Sequence, residues 1–308
     1  MKESRYRRFS EHLRQKFGCR VHKVALNAGL GCPNRDGTVG DDGCLFCDPA
    51  GGSGRTGGEI PPTITEQMHS GMQGLRKRYH AERFIAYFQS FTNTYGSRTQ
   101  LKPLYDQAVA FEEVVGLSIA TRPDCLPSEI LDLIQSYTSQ YYTWVELGVQ
   151  SLREDTLRSL SRGHGVETTT RAVRELKQRG VHVCAHLILG LPGEDLEDMT
   201  RTVQGIAALG VDAVKFHMLY VTRFSQLAHI HHRGGLRLLS REEYIAMVIH
   251  LLEHTPPDIL VQRLVSEAHP DILVAPEWLG DKPGIIREIE DTLEARDTRQ
   301  GALWGTSP

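Results

Sequence analysis

The chain has 308 residues, 40% of them hydrophobic and 24% charged, with a formal net charge of −3. Those proportions exclude a disordered or membrane-embedded chain, and the near-neutral balance gives no global reason to expect a nucleic-acid partner. The first residues run from Met1-Lys2-Glu3-Ser4-Arg5 into Arg7, Arg8, Glu11 and Arg14, with no apolar stretch long enough for a signal peptide or membrane helix. The expected compartment is therefore the cytoplasm, where six cysteines are read as thiols and not as disulfides.

In chain order, residues 21–26 read as a first strand and 27–58 as a long glycine-rich loop. A helix is expected at 64–79, a strand at 83–89, a helix at 101–111 and a strand at 114–120. Then come a helix at 128–137, strand 142–149, helix 167–179 and strand 181–189. Leu196, Met199, Val203 and Ile206 share the face of a following helix, residues 211–219 form a further strand, and Ile245, Val248, Ile249 and Leu252 share another helical face. Six strand-then-helix pairs predict an α/β fold, a partial (βα)6 TIM-like barrel with short N-terminal and C-terminal extensions. The expected organisation is an extension at 1–20, the barrel at 21–254 with its loop at 27–58, and an elaboration at 255–308 ending in a helix near 285–295.

The loop after the first strand holds Cys32, then Cys44-Leu45-Phe46-Cys47. Three soft thiolates suit an iron–sulfur cluster or zinc, and a cubane with three protein ligands leaves one iron open for a small molecule. A structural zinc site with His22 as fourth ligand remains open on spacing alone. Cys19, Cys125 and Cys184 are scattered and read as buried hydrophobes, with Cys125, after the third clear strand, able to face a cavity. Residues 51–58, rich in glycine, read as a mobile lid or an idle loop.

Cys32, Cys44 and Cys47 resemble the cluster loop of the radical S-adenosylmethionine (SAM) superfamily, in a widened spacing similar to the Elongator-type domain. Lys23-Val24-Ala25-Leu26-Asn27, Cys32-Pro33-Asn34-Arg35-Asp36-Gly37, Thr121-Arg122-Pro123-Asp124-Cys125-Leu126, Glu146-Leu147-Gly148-Val149-Gln150-Ser151 and Arg162-Gly163-His164 resemble the bacterial YhcC/YtqA family, as do Leu273-Val274-Ala275-Pro276-Glu277-Trp278 and Lys282. The likeness spans nearly the whole chain. It implies a radical enzyme of the TIM-like barrel type that uses a [4Fe–4S] cluster and SAM to generate a 5′-deoxyadenosyl radical, with Cys32, Cys44 and Cys47 on the cluster and an electron donor such as flavodoxin or ferredoxin.

The resemblance places Phe46 over the cluster and adenine. Ser90, Thr92 and Asn93 stand where many members carry Gly-Gly-Glu, a departure, and are expected around the SAM ammonium group. Glu146 and Gln150, on one face of an extended strand, and Arg162, toward the methionyl carboxylate, are the other polar candidates. Ile188, Gly190 and Leu191 form the expected adenine shelf. No acetyltransferase domain is recognised, so the Elongator-type reaction does not transfer intact. The resemblance implies tRNA carrying a modified wobble uridine as substrate, on the expectation that Arg5, Arg7, Arg8, Arg76, Lys77, Arg78 and Arg233 fold onto the barrel mouth. Phe91, Tyr95 and Tyr220 are candidate stacking partners. A small metabolite as substrate, or a non-catalytic zinc-containing RNA-binding module, are the alternatives.

Overall fold

A computed structural model describes residues 4–48 and 61–305. Seven strands lie in one parallel sheet ordered as in the chain: β1 (Val21–Leu26), β2 (Arg83–Phe88), β3 (Val114–Thr121), β4 (Tyr142–Gln150), β5 (His182–Leu189), β6 (Ala213–Met218), and β8 (Leu260–Arg263), with β7 (Val221–Thr222) between β6 and β8 in sequence. The helices are α1 (Phe9–Phe17), α2 (Ile64–Tyr79), α3 (Arg98–Val109), α4 (Ser128–Gln135), α5 (Glu154–Ser159), α6 (Val166–Gln178), α7 (Leu196–Ala208), α8 (Gln226–His232), α9 (Arg241–Glu253) and α10 (Lys282–Ala295). β9 (Leu273–Ala275) pairs antiparallel with β7.

The expected strands and helices form where their period and caps put them. α2 begins at Thr63, whose hydroxyl and Glu66 make a capping box, and a similar box starts α9 at Ser240. The sheet curls into a half-barrel, as expected, but it has seven strands and not six. β8 comes from the stretch read as a C-terminal elaboration and pairs with β6. Its four residues, two of them polar, are too short a run to show a strand period, and the partner edge of β6 makes the strand.

Across the seam between β1 and β8, Lys23 Nζ donates to Gln262 Oε1 at 2.6 Å, and the backbone ahead of α1 runs beside β8, the Val261 amide donating to the Arg7 carbonyl at 2.8 Å. α1, unpredicted, crosses the amino ends of the strands. Its Phe9 and Leu13 pack with Val21, Ile85, Trp144, Cys184, Ala213 and Leu260, which are inward-facing positions of the lowest turn, and close that end with apolar side chains. The larger core lies between the sheet's outer face and the surrounding helices. No helix among the described residues is long and apolar enough to cross a membrane. The lid reading for residues 51–58 lies outside the described residues.

Candidate active site

Alternation along parallel strands stacks inward side chains in layers. Above the apolar plug, the next inward layer is polar: Lys23, Tyr87, Ser118, Glu146, His186 and Lys215. Above that, Gln89, Ala120, Gly148, Ile188 and His217 line the lower wall of a cavity of about 560 Å³ at the carboxyl ends of the strands. The loop after β1 forms the opposite wall with Cys32, Arg35, Cys44, Phe46 and Cys47, so the three thiols face one space.

Local contacts fold that loop. The Cys47 amide donates to the Cys44 carbonyl at 2.9 Å, turning the Cys-x2-Cys segment back on itself, and the Arg35 amide donates to the Cys32 carbonyl at 2.9 Å. Arg35 Nη2 donates to the Asp48 carbonyl at 2.7 Å. Gly43 has φ +77°, a left-handed conformation that favours glycine, and a Cβ there would meet the Arg35 guanidinium at 3.0 Å and have to displace it. The Leu45 amide donates to the Leu160 carbonyl at 3.1 Å, tying the loop to the far side of the cavity.

Cys44 is the most charge-coupled thiol. Arg162 Nη1 donates to its sulfur at 3.1 Å and Asn34 Nδ2 at 3.3 Å, with Arg122 Nη1 at 3.8 Å. Burial pushes its pKa up, but the Arg162 and Arg122 charges outweigh this and hold it below the ordinary thiol value. Cys47 is pushed up to about 11, mainly by burial, against the pull of Arg35. Arg122 is itself held in a two-bond fork by Asp124 at 2.9 and 2.8 Å. Arg162 also donates to the Gly148 carbonyl at 2.7 Å, but its buried Nε has no partner among the described residues. A buried, unsatisfied guanidinium N–H at a cavity wall calls for an acceptor from a bound molecule.

Of the residues singled out from sequence, Cys32, Cys44, Cys47, Phe46, Thr92, Glu146, Gln150, Arg162 and Ile188 line this cavity together. Ser90, Asn93, Gly190 and Leu191 are not among the lining residues. Asn93 turns into the sheet, where Nδ2 donates to the carbonyls of Ala120 at 3.0 Å and Phe88 at 3.2 Å, pinning the ends of β2 and β3. Gly190 faces Leu239, whose Cδ1 would lie 2.9 Å from an added Cβ, and Leu191 packs in an apolar cluster with Leu160, Ile188 and Leu219. Gln150 sits after a register break against β5, with φ +71°. It reaches the cavity by that bulge as much as by the simple alternation with Glu146. The Glu146 carboxylate is fully buried and occupied: Lys23 and Lys215 donate to it, with His186 Nε2 and Ser118 Oγ each at 2.8 Å.

His22 stacks on Tyr79 with ring centroids 4.9 Å apart at the amino end of β1, roughly 13 Å along the strand from the loop that carries the cysteines. It is therefore no fourth ligand for them. Cys125 is buried and its thiol is pushed up to about 12, chiefly by burial; it is absent from the cavity lining. Phe91 and Tyr220 line the cavity, whereas the Tyr95 hydroxyl donates to Asp36 at 2.8 Å outside it. The expected basic mouth does not form from the residues named for it. Arg5 pairs with Asp297, Arg8 with Glu290, and the Arg7 carbonyl binds β8 at its start, all toward the plugged end. Arg76, Lys77 and Arg78 end α2, and Arg76 pairs with Glu113, the residue before β3. A helix that returns antiparallel to its strands carries charges in its last turn to the strands' amino ends.

Residues that the sequence reading passed over include Lys23, Lys215, His186, His217 and Arg263. A signal was present: charged or imidazole side chains at alternate positions of strands otherwise apolar, which in a buried sheet must face a polar interior.

Residues 26–206 match the Radical SAM superfamily and residues 211–295 the Radical_SAM C-terminal domain. Over 302 residues the chain is 37% identical to "Uncharacterized protein YtqA" of Bacillus subtilis (strain 168), covering 98% of this chain and 94% of that one. Over 164 residues, 52% of this chain and 30% of the relative, it is 30% identical to a tRNA uridine(34) acetyltransferase of Methanocaldococcus infernus. The structure of the archaeal M. infernus Elp3 with an N-terminal deletion superposes with a TM-score of 0.68 at 21% identity, over 91% of this chain and 64% of that one.

Proposed function

The chain belongs to the radical SAM superfamily, and we propose that Cys32, Cys44 and Cys47 hold three irons of its [4Fe–4S] cluster against the cavity, with SAM beside it and a wobble uridine of tRNA as substrate. The family's cluster and SAM together supply one-electron cleavage of a sulfonium bond and a carbon radical that takes hydrogen from the substrate, with a reductant such as flavodoxin or ferredoxin providing the electron. The observation that carries the reading is the convergence of three thiols and the unpartnered Arg162 Nε on one cavity.

The chain's own groups then have definite tasks. Arg162 receives the methionyl carboxylate while its other nitrogens stay on Cys44 and Gly148. Gln150 and Thr92 offer hydrogen bonds to the amino and ribose groups, and Phe46 and Ile188 provide apolar walls that keep water from the reacting carbon. Asn93 holds the ends of β2 and β3 in place behind Thr92. The tRNA part is supported by the archaeal relative named for uridine 34 of tRNA, whose activity as a whole protein is not carried over from a match to 30% of its length. The position of the basic residues favours a second reading, a small metabolite as substrate, because the contacts of Arg5, Arg7, Arg8 and Arg76 hold these four of the seven away from the mouth.

Anaerobic reconstitution should give about four irons per chain, and Cys32→Ala, Cys44→Ala or Cys47→Ala should each abolish the cluster. Incubation of the reduced enzyme with tRNA from a deletion strain, followed by nucleoside mass spectrometry, tests the substrate. An unchanged tRNA, together with 5′-deoxyadenosine formation stimulated by a metabolite extract, selects the second reading.

A further inference from the structure

Three cations, Lys23, Lys215 and Arg263, approach the lower half of the cavity. Lys23 and Lys215 share the carboxylate of Glu146. Arg263 lines the cavity, and its side chain has no hydrogen-bond or ion-pair partner among the described residues. Of the other acidic lining residues, Glu267 pairs with Lys282 Nζ at 2.7 Å and also feels the Arg263 charge, and Asp48 lies on the cysteine loop, its backbone carbonyl accepting from Arg35 Nη2. Arg263 owes its place to a register break between β6 and β8. Val214 pairs with Val261 but Lys215 pairs with Arg263, so a bulge brings Arg263 level with Lys215 at the cavity.

Beside them His217 lines the same wall, and its buried Nε2 has no partner among the described residues. After burial, the Arg263 charge is the strongest influence holding the His217 pKa well below the imidazole range, which keeps the ring neutral. Lys215 is lowered to about 8 by burial, helped by the Lys23 charge, against the opposing pull of Glu146. Glu146, Cys184 and His186 lie close enough together to be considered as metal ligands, with ligand atoms within 4.8 Å of one another. Two ammonium groups already occupy that carboxylate, so a metal cation there would meet repulsion. The missing charge is negative.

We propose that Arg263, Lys215 and His217 form a receptor for a carboxylate group of the substrate at the cavity floor. A single negative charge suits a floor where Glu146 already neutralises part of the excess, and a guanidinium fork with an adjacent imidazole N–H matches two carboxylate oxygens. The inference deepens the proposed function and rests on its division of the cavity: SAM occupies the Arg162 and Gln150 side, and the substrate's anionic substituent reaches the Arg263 side. It holds whether that substituent is carried by a tRNA nucleoside or by a metabolite.

The test uses the reconstituted holoenzyme saturated with SAM, unreduced, and reads binding of acetate by saturation-transfer NMR, with acetamide as neutral isostere and inorganic phosphate as dianion. Acetate should bind saturably, acetamide at least tenfold more weakly, and Arg263→Gln should weaken acetate at least tenfold while SAM affinity stays within twofold. If Arg263→Gln does not fold, Arg263→Lys replaces it; keeping the charge without the fork, it should weaken acetate about threefold or more. Equal binding of acetate and acetamide, tighter binding of phosphate than acetate, or acetate affinity unaffected by the Arg263 substitution overturns the proposal. Failure of the wild-type holoenzyme to bind SAM would instead overturn the proposed function, and acetate binding would still report on the floor.

Discussion

The two ends of the half-barrel solve the problem of an open sheet interior in opposite ways. At the amino ends of the strands, Phe9 and Leu13 of α1 insert among Val21, Ile85, Trp144 and Leu260, and dispersion and apolar burial do the work. Phe9 meets the Trp144 ring edge-on at 5.3 Å between centroids. At the carboxyl ends the same inward positions carry Lys, Glu, His and Gln, and the interior is held by charges that need one another or need a ligand. A buried ion network is costly to assemble and adds little net stability, so its presence at one end alone marks that end as the one kept for chemistry.

The comparison breaks most severely if the charge network is dispensable. Glu146→Gln leaves Lys23 and Lys215 without their shared buried counter-charge, and it should lower unfolding stability by about 3–5 kcal/mol in anaerobic urea denaturation. A loss well under 1 kcal/mol would mean that the polar layer is hydrated and does not act as a buried network.

Arg162→Ala sharpens the contrast from the mouth. It removes a guanidinium whose Nε waits for an acceptor, so SAM affinity, measured by calorimetry on the reconstituted protein, should fall by about 1.5–3 kcal/mol. Because Arg162 also donates to Cys44, the iron content of the variant must be measured beside it. Unchanged SAM affinity at full iron loading would remove Arg162 from the SAM contacts.

The smallest expected effect is a pH slope. Burial, reinforced by the charge of Lys215, pushes His186 down to about 4 from an ordinary 6.5, against the opposing pull of Glu146. The unfolded chain then binds the proton before the folded one does, so stability is complete above pH 6.5 and is lost as pH falls from there toward 4. His164, pushed down to about 4 by burial and then by Arg162, contributes in the same direction. Each group accounts for at most about 1.4 kcal/mol per pH unit in that window, and His186→Gln should flatten the slope by its share. An identical slope in wild type and variant would show that His186 titrates as an exposed imidazole does.

Much of the fold was legible because its signals are local. Periods of two and 3.6 set six strands and their helices to within a few residues, and the clustering of Cys32, Cys44 and Cys47 with Phe46 in one loop marked the cavity's wall. Less was legible wherever an element depends on a distant partner. α1 and β8 exist because the strands' amino ends and the β6 edge offer them surfaces, and neither segment carries a strong period of its own.

Sequence alone determined the chemical equipment: three thiols, Arg162 and Gln150 in an order that follows successive βα units, and lysine, glutamate and histidine at alternate strand positions. Tertiary structure alone decided which of them meet. Curling of the sheet brings Lys23 of β1 and Lys215 of β6, far apart in the chain, onto the one carboxylate of Glu146. A single bulge between β6 and β8 decides that Arg263 faces the cavity and not the helices. The return direction of α2 sends Arg76 to Glu113, at the amino end of β3. Charge in a sequence has no direction until the backbone gives it one, because a strand residue's face depends on register and a helix residue's end depends on which way the helix runs.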